Sequence, residues 1–158
     1  MSYLLDTNIF IRSKNELPMD IFKGFWQRLA QLAQSGQIFS SVKVKEEIDK
    51  GNDELKKWCA EELPKEFFLP FEAHEDYAKL MTWANGNAVF TVAAKQEFAT
   101  VADAYLVATA ALKKMKVVTF ETSDPLCKKR VKVPDACKAV GVDYCSLNDM
   151  LHALGVII

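Results

Sequence analysis

Histidine, glycine and long apolar runs are scarce in this 158-residue sequence, and each scarcity excludes a class of protein. The two histidines, His74 and His152, stand far apart with no cysteine at ligand spacing, so no structural zinc site is expected. The six glycines form no glycine-rich motif, which excludes P-loop and dinucleotide-binding proteins. No apolar run approaches the roughly 20 residues that a membrane helix needs, so we expect no membrane partner.

The sequence is also poor in paired cysteines and in excess charge of either sign. Its four cysteines are unevenly spaced and form no C-x-x-C pair, and no secretory signal is evident, so we expect reduced thiols and a cytoplasmic protein. The formal net charge of −1 gives no global basic excess for nucleic acid. Residues 113–132 are locally basic, however, and the run Lys128-Lys129-Arg130 is either solvated surface or the border of an anion site.

Short apolar segments alternate with segments of helical periodicity, which predicts one α/β domain spanning residues 1–158. Strands are predicted at 3–5, 37–39, 117–119 and 142–144, with an extended edge piece at 67–71. Helices are predicted at 19–33, 41–51, 53–62, 72–83, 101–115, 134–139 and 147–154. Short apolar strands in this alternation favour a parallel sheet that is covered by helices on both faces.

Four acidic residues fall where predicted strands end or predicted helices begin. Asp6 follows the first strand, and Glu121 lies two residues beyond Thr119. Asp103 begins the most apolar helix, and Glu47 lies one turn into its own helix. Because ligand sites in parallel sheets lie beyond the carboxyl ends of the strands, these acids could converge. Four carboxylates without histidine or cysteine form an oxygen-only site suited to Mg²⁺ or Mn²⁺.

Each of these acids also has a purely structural interpretation. Asp6 could cap the helix that follows it, and Asp103 could favour its helix N-terminus through the macrodipole. Glu47 and Glu121 could be exposed. Carboxylates that do converge repel one another unless a cation lies among them. The residues taken singly therefore leave both interpretations open.

The chain resembles the PIN-domain family in four motifs that follow the family's order. The motifs are Leu4-Leu5-Asp6-Thr7-Asn8, Ser41 through Glu47-Ile48 with Gly51, Ala102-Asp103-Ala104-Tyr105 with Ala108-Thr109-Ala110, and Val118-Thr119-Phe120-Glu121. The likeness is to small bacterial and archaeal members, including the toxin ribonucleases of VapBC-type toxin–antitoxin pairs. This resemblance implies a three-layer α/β/α fold with a short-stranded central parallel sheet.

The resemblance also implies an activity, a cofactor and partners. The implied activity is that of a Mg²⁺- or Mn²⁺-dependent endoribonuclease, a hydrolase acting on phosphodiester bonds in RNA. The family's catalytic and metal-binding acids correspond to Asp6, Glu47, Asp103 and Glu121, with Asn8 and Thr119 as supporting polar residues. The implied partners are an RNA substrate, an antitoxin protein and a second copy of the chain in a homodimer.

Three features depart from the family's pattern. The fourth acid is Glu121 where the family usually has Asp, so Asp124 is an alternative ligand. Glu46 adjoins Glu47, and the family's spacing favours Glu47. The segment 125–158 is longer than in a minimal toxin, which indicates a divergent subgroup. The altered fourth acid favours the competing hypothesis of a non-catalytic PIN-like module that binds RNA or protein.

Overall fold

A computed structural model describes residues 2–158 and shows a five-stranded sheet in which every strand pair is parallel. The strands are β1 (Tyr3–Leu5), β2 (Ile38–Ser41), β3 (Phe68–Leu69), β4 (Lys116–Val118) and β5 (Tyr144–Cys145). Their order across the sheet is β3-β2-β1-β4-β5. The chain therefore builds outward from β1 in one direction and then crosses to the other side with β4.

Within residues 2–158 the sheet is accompanied by nine α-helices and one short 3₁₀ turn, Lys65–Phe67. The helices are α1 (Thr7–Glu16), α2 (Lys23–Gln34), α3 (Val42–Gly51), α4 (Glu54–Glu62), α5 (His74–Asn85), α6 (Val92–Thr100), α7 (Ala102–Lys113), α8 (Val133–Ala139) and α9 (Leu147–Ala153). They flank the sheet in a three-layer α/β/α arrangement, which confirms the predicted fold class.

The central strand and the helix packed against the sheet form the heart of the core. Leu4 and Leu5 of β1 and Val118 of β4 are completely buried, as expected for strands covered on both faces. Most of α7 is also buried, and its small side chains, such as Ala104 and Ala108, let the helix lie close to its neighbours. This packing holds the start of α7 near the ends of β1 and β4.

One predicted helix begins later in the structure, and two helices of the structure, α1 and α6, are not among those predicted. The helix predicted from residue 19 begins at Lys23, because the N–H of Phe22 donates to the Pro18 carbonyl and closes a turn first. Helix α6 was not predicted at all. Only Ala94 and Phe98 of its nine residues are buried, so its apolar periodicity is weak. The remaining predicted helices and strands are present, with ends displaced by a few residues.

All four cysteines are free thiols, and Cys59 and Cys137 are buried. Burial raises the pKa of both buried thiols to about 12, so neither forms a reactive thiolate at neutral pH. In the part of the chain that the structure describes, no helix is long and apolar enough to cross a membrane.

Candidate active site

The candidate site lies at the carboxyl edge of the sheet, beyond β1 and β4. These two strands are neighbours, with Leu5 in register with Val118, and the Asp6 N–H donates to the Val118 carbonyl at 3.0 Å. The chain adds strands on one side of β1 and then on the other, so the order reverses between β1 and β4. Such reversal points in parallel sheets leave a crevice where ligands bind.

Asp6 stands at the bottom of this crevice and is 2% exposed. One carboxylate oxygen, Oδ1, accepts the Thr7 N–H at 2.7 Å, which caps α1. The other oxygen, Oδ2, accepts the Thr119 hydroxyl at 2.8 Å. Asp6 therefore does cap the helix that follows it, and it also presents a buried carboxylate at the crevice.

Thr119 joins the first motif to the last. Its hydroxyl donates to Asp6 and accepts hydrogen bonds from the Asn8 side-chain amide at 3.2 Å and from the Glu121 N–H at 3.1 Å. The Asn8 amide oxygen in turn accepts the Phe120 N–H at 3.2 Å. These bonds tie the loop after β4 to the first turn of α1.

Replacing Thr119 with Val is expected to reduce the free energy of unfolding by about 1–3 kcal/mol, because the buried Asp6 carboxylate would lose its hydroxyl donor. Urea denaturation of the metal-free protein would measure the loss. Thr119→Ser keeps the hydroxyl and serves as the matched control. A Val variant as stable as the Ser variant would show that this hydrogen bond contributes nothing.

Glu47 reaches the crevice from α3 and connects three helices. Its Oε1 accepts the Thr7 hydroxyl at 2.7 Å, and its Oε2 accepts the Ala102 N–H at 3.0 Å. Ala102 is the first residue of α7, and the cap residue Val101 offers no side-chain hydrogen bond. Glu47 thus satisfies a free N–H at that helix start.

The neighbouring acid, Glu46, has a different environment. It is exposed and pairs with Lys43 at 3.8 Å on the surface of the same helix. The structure therefore brings Glu47, and not Glu46, to the crevice.

Asp103 and Glu121 meet across a single arginine. Arg130 Nη2 lies 3.4 Å from Asp103 Oδ2 and 3.0 Å from Glu121 Oε2. The second oxygen of Glu121, Oε1, accepts the Val133 N–H at 2.9 Å. The longer arm of Glu121 thus reaches the acidic residue at the start of α7.

Asp124, the alternative fourth acid, lies farther along the loop after β4. It is exposed, and its N–H donates to a carboxylate oxygen of the buried Asp135 at 2.9 Å. Asp135 also accepts the Ser123 hydroxyl at 2.6 Å. The structure brings Glu121 into contact with the Arg130–Asp103 pair, and it places Asp124 in a turn held by Asp135.

The electrostatics show that the acids influence one another. Burial raises the pKa of Asp103 to about 7, and the charges of Glu121 and Glu47 add to the rise while Arg130 opposes it. Burial also raises the pKa of Asp6 well above its usual value, with further contributions from the charges of Asp103 and Glu121. Buried carboxylates with raised pKa values in a cleft are typical of functional sites.

Asp6, Glu47 and Asp103 line a cleft of about 280 Å³, and Glu121 lies outside its lining. Two charged residues absent from the predicted set, Arg130 and Glu97, also line this cleft. Arg130 belongs to the basic run noted in the sequence, but nothing in that run distinguishes it from Lys128 or Lys129. Glu97 is exposed on α6, the helix that was not predicted. No pattern in the sequence places Glu97 at the cleft, because residues 92–100 lack a regular apolar stripe.

The donor set suits Mg²⁺ or Mn²⁺ chemically, because all four acids offer hard oxygen atoms. Burial, together with the neighbouring negative charges, raises the pKa of Asp6 and that of Asp103. The positions of the carboxylates nevertheless do not form a complete metal-binding site. Among residues 2–158, no group of three or more His, Cys, Asp or Glu side chains is placed so that it could hold a metal ion. Internal donors already engage the carboxylates, with Arg130 between Asp103 and Glu121.

Solved structures of similar architecture define the class of fold. A chain of VapBC2 from Rickettsia felis, crystallised with a DNA fragment from their promoter, matches with a TM-score of 0.55 and 17% identity, over 92% of this chain and 98% of that one. A chain of FitAB bound to the IR36 DNA fragment matches with a TM-score of 0.52 and 21% identity, over 91% and 94%. FitAcB from Neisseria gonorrhoeae gives 0.51 and 22%, over 90% and 95%. The protein has the PIN-like fold that its four motifs predict.

The sequence itself defines the family more narrowly. The chain belongs to the family described as Domain of unknown function (DUF4411), whose model matches residues 3–158. No curated protein matches it. The family's description names no activity, and solved structures below 25% identity establish the fold alone. An assignment of function therefore depends on the geometry and chemistry of the site.

Proposed function

We propose that the protein is a Mg²⁺- or Mn²⁺-dependent endoribonuclease that hydrolyses phosphodiester bonds in RNA. The observation that carries this proposal is the convergence of four carboxylates, Asp6, Glu47, Asp103 and Glu121, at the carboxyl edge of a PIN-like sheet. The four come from separate segments of the chain, and 114 residues lie between the first and the last. Their mutual repulsion suits a site whose working state includes a multivalent cation.

Asp6, Glu47, Asp103 and Glu121 would hold the ion, and Asn8 and Thr119 would support them. A bound divalent ion supplies a water of lowered pKa and neutralises charge on phosphate oxygens. The chain's own contribution is to fix the carboxylates in place. Thr119 orients Asp6, Asn8 secures the loop that carries Glu121, and the Thr7 hydroxyl orients Glu47. Burial of Asp6 and Asp103 keeps the site dry and strengthens its electrostatics.

Cations near the cleft in the chain support a polyanionic substrate. Arg130 lines the cleft, and its neighbours Lys128 and Lys129 are exposed on the loop between β4 and α8. Arg12 of α1 lies over the ring of Phe120, 4.6 Å from its centre. Lysine and arginine side chains in such positions contact phosphates without reading the base sequence.

We extend the proposal to the toxin of a toxin–antitoxin pair, with an antitoxin protein as partner and a homodimer as the functional assembly. The motifs resemble those of VapBC-type toxins, and the fold matches a chain of VapBC2. An antitoxin segment would be expected to cover the acidic cleft. Copurification of the chain with the product of an adjacent gene would test this extension.

The test of the nuclease proposal is cleavage of a random-sequence single-stranded RNA library, with the cut ends mapped by sequencing. Cleavage is expected in Mn²⁺ and not in EDTA, because the carboxylates alone supply no strong nucleophile. Asp6→Asn serves as the matched variant, since its single oxygen can still accept the Thr7 N–H while the negative charge and the second acceptor are removed. Cleavage that persists in EDTA, or in the Asn variant, would contradict the proposal.

The position of Arg130 favours one alternative, a non-catalytic PIN-like module that binds RNA. A guanidinium that permanently neutralises Asp103 and Glu121 would leave the acids structural and the rim cationic. This alternative predicts RNA binding, measurable by fluorescence anisotropy, together with no cleavage at any Mn²⁺ concentration. The library experiment separates the two functions directly.

A further inference from the structure

Arg130 places its positive charge between two of the acids, Asp103 and Glu121. The same nitrogen, Nη2, contacts both Asp103 and Glu121. Guanidinium stays protonated at all physiological pH values, so the contact is a fixed cation between two carboxylates. The oxygens it contacts are Asp103 Oδ2 and Glu121 Oε2, and the second oxygen of Glu121 is already engaged by the Val133 N–H. A divalent ion would need the oxygens that Arg130 holds.

The hold of Arg130 on these acids is incomplete. Arginine binds a carboxylate most strongly through two parallel N–H bonds, whereas here Nη2 alone serves two carboxylates and one distance is 3.4 Å. The Arg130 side chain is 48% exposed, while those of Asp103 and Glu121 are 10% and 12% exposed. The acids are thus held within the protein, and the arginine reaches them from the solvent side. Such a side chain can leave without disturbing the core.

The cleft also offers the displaced arginine another carboxylate. Glu97 lines the same cleft and is exposed, and its charge acts on Arg130. An exposed ion pair of this kind contributes little energy of its own. It would nevertheless keep the guanidinium at the rim, close to the acids it had left.

We propose that Arg130 is a built-in competitor for the divalent cation: it neutralises Asp103 and Glu121 while no ion is bound and must leave them when one binds. The inference rests on the proposed function, since it takes these carboxylates to be the metal ligands. It assigns Arg130 a regulatory role, in which the affinity of the site for metal is set by the strength of an arginine contact within the same chain.

The test is a calorimetric Mn²⁺ titration of the wild type, Arg130→Gln and Lys129→Gln at pH 8, which lies above the Asp103 pKa of about 7. Lys129 is the matched control, because it is the exposed neighbour in the same loop and makes no ion pair within residues 2–158. Removing the competing charge is expected to make Mn²⁺ binding by the Arg130→Gln variant about tenfold tighter than that of the wild type. The Lys129→Gln variant is expected to stay within about twofold of the wild type, because exposed charges are screened.

The outcomes separate this inference from the nuclease proposal. Binding by the wild type, with equal or weaker binding by Arg130→Gln, would overturn the inference and leave the metal site standing. Tighter binding by Arg130→Gln, or binding by that variant alone, would support both. No binding by any variant would overturn both together.

Circular dichroism would establish that each variant is folded. If Arg130→Gln does not fold, Arg130→Met provides the decision, because it removes the competing charge and keeps an unbranched apolar stem. Its Mn²⁺ affinity is expected to exceed that of the wild type. A methionine variant that binds no more tightly than the wild type would contradict the inference.

Discussion

Replacing Asp103 with Asn is expected to lower the proposed RNA cleavage more than about 100-fold. Losing a residue that only supports a metal ligand costs up to about 100-fold, and Asp103 is proposed as a ligand itself. Asp103 is buried at the start of α7, and its carboxylate shares the Arg130 nitrogen with Glu121. Asn keeps the size and one acceptor oxygen but removes the negative charge. The loss should therefore fall on metal binding, with Mn²⁺ calorimetry and cleavage measured on the same preparation.

Asp124→Asn is the matched control for this loss. Asp124 is also an acid near the end of β4, but it is exposed, and its loop is held through backbone and serine contacts with Asp135. Its replacement is expected to leave both Mn²⁺ affinity and cleavage close to those of the wild type. If Asp124→Asn lost activity and Asp103→Asn retained it, the proposed set of ligands would be wrong.

The metal-free protein is expected to become less stable as the pH rises from 5 to 8, the opposite of the usual behaviour of paired carboxylates. The Asp103 pKa rises from its usual 3.8 to about 7 in the folded protein, first through burial and then through Glu121. Between pH 3.8 and about pH 7, the folded chain retains a proton on Asp103 that the unfolded chain has lost. Its stability is therefore highest at low pH and declines up to about pH 7, by at most about 1.4 kcal/mol per pH unit for this one group.

Asp6 contributes in the same direction, because burial and neighbouring acids raise its pKa as well. Asp53 acts in the opposite direction, because its hydrogen bond with Lys14 lowers its pKa. Its contribution to stability changes only below about pH 4, outside the range from pH 5 to 8. Urea denaturation in EDTA at pH 5, 6, 7 and 8 would measure the trend. Asp103→Asn should have a shallower dependence than the wild type, and equal slopes would show that Asp103 does not titrate in this range.

These two predictions depend on the same physical conflict. Burying several carboxylates together lowers the stability of the ionised protein, and one arginine does not neutralise them. A structural role would call for fewer charges or a better-paired set, as seen at Asp135, which accepts hydrogen bonds from the Ser123 hydroxyl and the Asp124 N–H. The excess of negative charge at the crevice is the feature that a divalent cation would relieve.

Local patterns in the sequence were enough to predict much of the scaffold. The apolar run Tyr3–Leu5 predicts the central strand, Ser41 predicts the start of α3, and Pro70 predicts that the segment around it lies at the sheet edge. These signals succeed because strands, caps and edges depend on residues adjacent in the chain. Helix α6 lacks such a local signal, because most of its surface faces solvent and it has no regular apolar stripe.

The sequence by itself determined the kind of chemistry available: four hard-oxygen acids at strand ends and helix starts, in the order of the PIN family. Only the tertiary structure decided how they are arranged. It placed Glu47 on the N–H of Ala102, brought Glu121 to Asp103, and set Arg130 between them across 27 residues of chain. In the sequence, Arg130 and its neighbours Lys128 and Lys129 form one basic run, and no pattern distinguishes the three. They differ because the loop between β4 and α8 turns one of the three side chains into the crevice, and that turn depends on packing between distant segments.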